Sequence, residues 1–456
     1  VVAFPYLDPA GADIRLPLTA ISRKAKRLSD SLLTGHLSRR PRLLAAYTCI
    51  VAFLTYASVF AYRKAFTVAT FEGMSIGPFT YQTSLIISQV MGYMLSKFYG
   101  IYFISSMRRT RRWVFVAAMV GVSWACHLVF ALTPDGVGLA CFFVNGFMLG
   151  FLWGVVFSYV EGRRTTDLTG SVMAVSFIFA GGFSRSVGKW LMVEHGVPEK
   201  WMPFWTGAVF ALPLALFLYL MERIPPPDAA DEAERSKRVP MAATDRRALM
   251  RSLGTGIGLV TVTYVFLTVL RDIRDNYMAN MWAELGYAGD YAIFTRTETV
   301  TSVVVLGLMA SLVLVRRNLL ALRLVHYAIM AGFAVGGGAS ALFLAGRLDG
   351  ALWMQLTGLG LYMAYIPFNS IFFERLIATF RMAANVGFLM YVTDAFGYLG
   401  SVTLMVAKET MRFGIDWSTY YAWGVAGFAG LGLAAMATSW AWFAARHRRL
   451  EVGEGR

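Results

Sequence analysis

The sequence predicts an all-α membrane protein with twelve transmembrane helices in two pseudo-symmetric six-helix halves. Three observations carry this. Of 456 residues, 57% are hydrophobic and only 15% charged, against roughly 45–50% and about 25% in a soluble domain. Phe, Trp, Met and Gly number 34, 12, 23 and 43, a composition suited to helices packed closely in lipid. Apolar stretches of about 20 residues, enough to cross a bilayer, recur along the whole chain, and every second loop is basic. With a mean hydropathy of +0.55, a soluble fold, a collagen, a coiled coil, a disordered chain and a secreted disulfide scaffold are excluded.

The spans read, in order, 43–70, 79–104, 113–133, 137–160, 169–193, 203–222, 253–277, 294–315, 319–345, 350–373, 382–407 and 417–445. Basic residues collect in one set of connections: Arg108, Arg109, Arg111 and Arg112; Arg163 and Arg164; Arg316 and Arg317; Arg375 and Arg381. The termini add Lys24, Lys26, Arg27, Arg39, Arg40 and Arg42 at one end, and Arg446, Arg448 and Arg449 at the other. The alternate loops, Glu72 to Pro78, Asp135, Glu194 to Lys200 and Glu284 to Asp290, are poor in base. Both termini are therefore expected in the cytoplasm. The net charge of +15 is read as this topology signal, with no nucleic-acid partner.

The domain reading follows: a basic cytoplasmic segment 1–42, a six-helix half 43–223, a linker 224–251, a second half 252–446 and a tail 447–456. The linker opens with Pro225-Pro226-Pro227 and continues in mixed charge through Asp228, Glu234, Lys237 and Arg238. Ser22 to Arg42 is basic with scattered Leu. It reads equally as a helix on the anionic inner leaflet or as a solvated tail. Marks recur between the halves at roughly 210 residues: Arg63 and Arg271, Glu161 and Glu374, Gly181-Gly182 and Gly397 to Gly400. Repeated halves place a site between them near mid-membrane.

Charges inside spans cost about 2.5–3.5 kcal/mol each on insertion scales, so each needs a partner, water or a function. Span one holds Arg63 and Lys64, span two Lys97, span five Arg185 and Lys189, span seven Arg271, Asp272, Arg274 and Asp275, and span eleven Asp394. Arg271 shares a helix face with Arg274 and Asp275. Arg271 and Arg63, from matched places in the two halves, would grip an anion from opposite sides, because guanidinium donors fit two oxygens of a phosphate or carboxylate. The competing reading is that both only bridge to Asp residues. Lys97 is either a third cation or a snorkelling lysine, and Lys64 snorkels or supports Arg63. Asp394 is a proton carrier or the counter-ion of Arg271 or Arg274, a role open to Asp272 and Asp275 also. Arg185 and Lys189 fit an outer vestibule as well as they fit binding. Tyr62, Tyr93, Trp153, Tyr362 and Tyr365 line the cavity if they face inward.

No GxxxxGK[ST] occurs, and Gly336-Gly337-Gly338 reads as helix packing. Cys49, Cys126 and Cys141 lie in apolar runs without a CxxC or a His/Cys cluster. No nucleophile–base set is present. Neither an enzyme, a cofactor nor a metal site is expected, and the first 42 residues contain no apolar signal core.

Several motifs resemble the organophosphate:phosphate antiporters of the major facilitator superfamily. Tyr62-Arg63-Lys64-Ala65-Phe66 is similar to that branch's first span, Gly92 to Phe98 to its second and Gly146 to Trp153 to its fourth. Arg271 after Tyr264-Val265-Phe266 resembles its seventh span, and Phe396 to Ser401 its eleventh. The resemblance implies that Arg63 and Arg271 hold a phosphate with help from Lys97. The chain departs from the branch in having no histidine between Ser171 and Gly188, no Asp-Arg pair after span two, and extra charges in span seven. Arg63 to Gly73 also resembles a group of bacterial multispan proteins carrying Arg-Lys-x-Phe-Thr-x-x-Thr-Phe-Glu-Gly. The first functional reading is a monomeric secondary transporter of the bacterial inner membrane, moving an organic anion, phosphorylated by the resemblance, by alternating access. One alternative is a transporter-like sensor or assembly subunit with a protein partner at residues 1–42. Another is proton-coupled transport of a non-phosphorylated solute through Asp394 or Asp272.

Overall fold

The computed structural model describes residues 32–106, 112–161, 163–228, 231, 243–380, 382, 386–411 and 414–454. Lys24, Lys26, Arg27, Arg108, Arg109, Arg111, Glu234, Lys237, Arg238 and Arg381, which carried part of the topology and linker reading, lie outside the described residues, as does most of segment 1–42.

After a short helix, Leu32–Ser38, come the long helices. α1 is Pro41–Lys64, continued by a tighter turn at Ala65–Val68; α2 is Tyr81–Ser106; α3 is Arg112–Leu132. α4 is Asp135–Gly150, continued after Phe151 by Leu152–Val160; α5 is Thr166–His195; α6 is Met202–Met221. The second half holds α7 (Ala243–Glu284), α8 (Ile293–Val313), α9 (Asn318–Leu344) and α10, which runs from Gly350–Pro367 through a wide turn at Phe368–Phe372 into Phe373–Thr379. α11 (Val386–Met411) and α12 (Trp417–Glu454) end the chain. A two-strand hairpin, Ser75–Ile76 with Phe79–Thr80, joins α1 to α2.

Ten of these helices are long and apolar enough to cross a membrane. α2 and α11, 26 residues each, supply the length of the other two predicted spans. Solvation is inverted relative to a soluble protein. Leu212, Leu216, Trp423 and Leu431 are exposed, while Arg185, Arg271, Arg274, Asp272, Asp275 and Glu298 are buried. The chain is an all-α membrane protein.

Helix extends past two of the expected spans: residues 243–251, in the segment read as linker, form the first turns of α7, and α12 continues through the segment read as tail to Glu454. Hydropathy marks the apolar slab, whereas a helix runs on into water until its pattern breaks. Arg247, Arg448 and Arg449 lie on these exposed extensions.

Within the halves α2 packs on α4, α1 on α5 and α6, α7 on α11 and α12, and α9 on α10 and α12. Gly336 lies against the backbone of Gly360, which also meets Gly332, so α9 and α10 approach backbone to backbone as the triple glycine implied. Between the halves α5 packs on α8, and α2 touches α11. A side chain at Gly182 would strike the Phe294 carbonyl and Glu298, so only glycine lets α5 come this close to α8. The helix ends that carry both termini define one face of the bundle, here the terminal face, and the hairpin lies at the opposite, far face.

Candidate functional site

α1 loses its regular winding just after Arg63, where the tighter turn Ala65–Val68 begins. Such a break frees backbone carbonyls, which need new donors when buried. Gln89 Nε2 donates to the Arg63 carbonyl at 3.0 Å, and Asn145 Nδ2 to the Tyr62 carbonyl at 3.1 Å. The two amides also bond each other at 2.8 Å. α2 and α4 thus fix the backbone that presents Arg63. Its guanidinium carbon lies 3.6 Å from the Tyr93 ring centre, a cation–π contact. Lys97, one turn along α2, holds its Nζ 4.9 Å from the same ring. Arg63 Nε is buried without a hydrogen-bond partner.

α7 presents Arg271 from the other half. Its Nη2 bonds Asp272 Oδ1 at 2.6 Å and its Nε the same oxygen at 3.2 Å. Nη1 donates to the Tyr365 hydroxyl. Tyr365 and Tyr264 stack with ring centres 5.6 Å apart and hydroxyls at 3.3 Å, and the Tyr264 hydroxyl donates to Asp394. The halves meet in a pair of rings, Tyr93 of α2 and Tyr398 of α11, 5.6 Å apart. Arg63 covers the first ring, and Arg271 lies 5.8 Å from the second. Tyr56, Trp153 and Phe177 pack together on the first-half side, with Phe177 meeting Tyr365 across the halves at 6.5 Å.

A second charged layer lies toward the far face. Lys64 Nζ bonds Asn276 Oδ1 across the halves at 2.5 Å. Arg185 of α5 lies 3.9 Å from the Asp275 carboxylate, donates to the Asp275 carbonyl and bonds Thr67 Oγ1 at 3.1 Å. Tyr362 donates to Asp275 at 2.8 Å. α7 kinks beside them at Tyr277, whose φ of −116° and ψ of 17° leave the helical region. The Tyr277 ring stacks on Trp417 with centres 3.4 Å apart, and its hydroxyl bonds Thr83 of α2 at 2.8 Å. Glu409 of α11 accepts from Thr80 and Thr83, Gln82 bonds Asn280 at 3.0 Å, and Ser186 bonds Thr295 at 2.7 Å. These bonds tie the halves together on the far side of the arginine level.

Arg274 pairs with Glu298 of α8 at 2.6 Å, with both side chains almost completely buried. Removing one partner of such a pair costs roughly 3–5 kcal/mol, because the other charge stays buried. Glu298→Gln should therefore lower the melting temperature of the purified protein markedly. Adding Arg274→Met should recover much of the loss, and a silent single variant would contradict the burial.

Arg63, Lys97, Tyr93, Arg271, Asp394, Trp153 and Tyr365 come together in one packed cluster where the halves meet. Tyr62 does not: its hydroxyl bonds the Gly207 carbonyl at 2.7 Å and its ring meets Trp124, inside the first half. Neighbours in a helix point about 100° apart, so Tyr62 and Arg63 cannot both face the seam between the halves. Tyr362 belongs to the far layer with Asp275. Asp275 turns to Arg185 rather than Arg271, Arg274 is matched by Glu298 rather than an aspartate, and Asp394 reaches Arg271 only through two tyrosines. Lys64 is buried and does not snorkel. Glu298, Asn276 and the chamber residues Tyr56 and Tyr264 escaped the site reading. Tyr56 had a signal, since it lies seven residues before Arg63 on the same helical stripe. Among the described residues no group of His, Cys, Asp or Glu is arranged for a metal, and all three cysteines are free thiols.

Two helical halves meeting at a charged, tyrosine-rich cluster define a membrane protein of the major facilitator fold. The chain belongs to the Family of unknown function (DUF5690), whose model matches residues 65–446. Lys97, Arg271 and Asp394 fall inside that match. No curated protein matches the chain. Among solved structures it is similar to the nucleoside transporter NupG, at 13% identity and a TM-score of 0.56 over 88% of this chain and 99% of that one. It is similar also to a D-xylose-proton symporter, at 14% identity and 0.56 over 86% and 97%. A third is a bacterial homolog of the human lysosomal transporter Spinster, solved inward-facing and unoccupied, at 12% identity and 0.57 over 89% and 97%. At such identities the likeness is one of fold.

Proposed function

We propose that this protein is a secondary transporter that moves a small organic anion across a bacterial inner membrane by alternating access. Arg63, Lys97 and Arg271 would receive the anionic group. The tyrosine-rich walls would hold the organic body. The observation that carries this reading is the convergence of Arg63 and Arg271, from opposite halves, on the Tyr93–Tyr398 ring pair. A group held between two halves is released when they rock apart, which is what alternating access needs. The solved neighbours named above, all transporters, support the same class. Three cations beside two carboxylates suit a phosphate monoester, the substrate class also suggested by the motifs; a carboxylate is the next candidate.

The basic connections support a cytoplasmic terminal face; in this reading the far-face bonds close the site to the outside. A cysteine placed at Pro226 should then resist an impermeant thiol reagent in intact cells while one at Gly77 reacts; the reverse pattern would overturn the orientation. The binding reading is tested by thermal stabilisation of the purified protein with a panel of phosphate monoesters, inorganic phosphate, carboxylates and neutral sugars. Stabilisation by anions alone supports it. Stabilisation by neutral solutes alone would replace it with sugar- or nucleoside-type recognition.

A further inference from the structure

The contacts between the halves differ in kind from one level to the next. On the far side they are polar: Lys64 on Asn276, Gln82 on Asn280, Ser186 on Thr295. At the level of the arginines the halves meet ring to ring. Tyr93 stands edge-on to Tyr398 with centres 5.6 Å apart, and Phe177 stands edge-on to Tyr365 at 6.5 Å. More rings lie behind each contact. Trp153 meets Phe177 at 6.2 Å and Tyr56 at 4.9 Å on the first-half side. Tyr264 stacks on Tyr365 at 5.6 Å on the other. Tyr56, Tyr264 and Tyr365 are buried, whereas Phe177 and Trp153 are only half-buried. Phe177 reaches Tyr365 of the other half, so the uncovered part of its ring borders the seam. The Arg271 guanidinium carbon lies 4.6 Å from the Tyr365 ring centre, beside the same seam.

The neutral hydrogen-bonding groups nearby are largely engaged. Gln89 and Asn145 hold the carbonyls of α1 and each other. Asn369 donates to the Tyr365 carbonyl at 3.3 Å, with its oxygen 3.4 Å from the Tyr264 hydroxyl. Ser96 and Thr393 donate to carbonyls of their own helices. A polyol body would bury hydroxyls against ring faces, each unpaired one costing roughly fivefold or more in affinity. A flat aromatic body meets no such penalty. When the halves part, Phe177 and Tyr365 lose the contact they now make, and a ring entering between them restores one contact to each. Aromatic pairs add roughly two- to tenfold beyond the burial of their area.

We propose that the substrate is an aryl anion, an aromatic ring bearing its negative group, with Phe177 and Trp153 of the first half and Tyr365 of the second as the faces that select it. This rests on the anion reading above. The anionic group goes to Arg271 and Arg63, and the ring enters the seam that Phe177 and Tyr365 close. Selectivity for the body thus comes from α4, α5 and α10, and the head group is held by α1 and α7.

Three phosphate monoesters that share a head group test this: phenyl phosphate, cyclohexyl phosphate and glucose 6-phosphate, titrated into the purified full chain by calorimetry. Phenyl phosphate should bind roughly two- to tenfold more tightly than cyclohexyl phosphate, and more than tenfold more tightly than glucose 6-phosphate. Phe177→Leu should bring the phenyl-to-cyclohexyl ratio close to one, and Phe177→Tyr, which keeps a ring, should preserve it. Trp153→Leu should lower the same ratio, and its result decides the matter if Phe177→Leu fails to fold. A wild type that binds glucose 6-phosphate as well as phenyl phosphate, or a ratio unchanged in both leucine variants, would overturn the aromatic body and leave the anion site standing. Absence of binding by all three esters and by inorganic phosphate would overturn both.

Discussion

Arg271→Lys and Arg63→Lys should each weaken anion binding by roughly tenfold to more than a hundredfold, the loss of a charge-assisted hydrogen bond worth about 1.5–3 kcal/mol, with little change in melting temperature. Lysine keeps the charge, so the buried carboxylate at Asp272 remains matched and Tyr93 keeps a cation within range. What disappears is the planar fork. A point charge attracts an anion but does not orient two of its oxygens. The effect should be larger for Arg271, which bonds through three nitrogens in the resting state, and smaller for Arg63, held mainly against a ring. Titration of the purified variants with phosphate monoesters checks this. Wild-type affinity in both variants would remove the arginines from the site.

Asp275→Asn should drive the far face open. In the closed arrangement Arg185 and Lys64 are buried beside Asp275 and Asn276, and Arg185 leans on the Asp275 carboxylate at 3.9 Å. Removing that charge leaves two cations in a dry interface, at a cost of roughly 3–5 kcal/mol. Opening lets water reach both, so the cost falls on the closed state alone. That amount moves a two-state equilibrium by about two to nearly four orders of magnitude. A reporter cysteine at Ser186, which bonds Thr295 across the halves, would read the change in a background lacking Cys49, Cys126 and Cys141. Labelling by an impermeant reagent from the far side should be slow in that background and fast once Asp275→Asn is added. Equal rates would show that the ion pair does not hold the gate.

The helices were legible because lipid demands long apolar runs whatever they do, and α3, α6 and α9 fall within a few residues of the spans read from sequence. The positions of Arg63 and Arg271 were legible for the same reason, since a charge in such a run stands out. Pairing was not. Glu298 sits in Thr295-Arg296-Thr297-Glu298-Thr299, a polar stretch that resembles a loop end more than the buried first turns of a span. Its partnership with Arg274 depends on how α8 is rotated against α7. Asp275 looks like an intrahelical partner of Arg271 by spacing, yet the kink at Tyr277 and the approach of α5 at Gly182 hand it to Arg185. Aromatic rings fared likewise. Tyr93 and Lys97, or Asp394 and Tyr398, follow from four-residue spacing once one member is placed, but Tyr264 joins the cluster through contacts with Asp394 and Tyr365 on two other helices, which no spacing reveals.

Uptake of a labelled phosphate monoester into proteoliposomes, with and without phosphate inside, tests the central claim most directly. A transporter with its anion site between Arg63 and Arg271 should give saturable uptake that organic anions compete for and neutral sugars do not, and the Arg63→Ala, Arg271→Ala double variant should fall to the level of empty liposomes. If neither phosphate monoesters nor carboxylates are taken up under any gradient, or if the double variant matches the wild type, the central chamber is not an anion transport site.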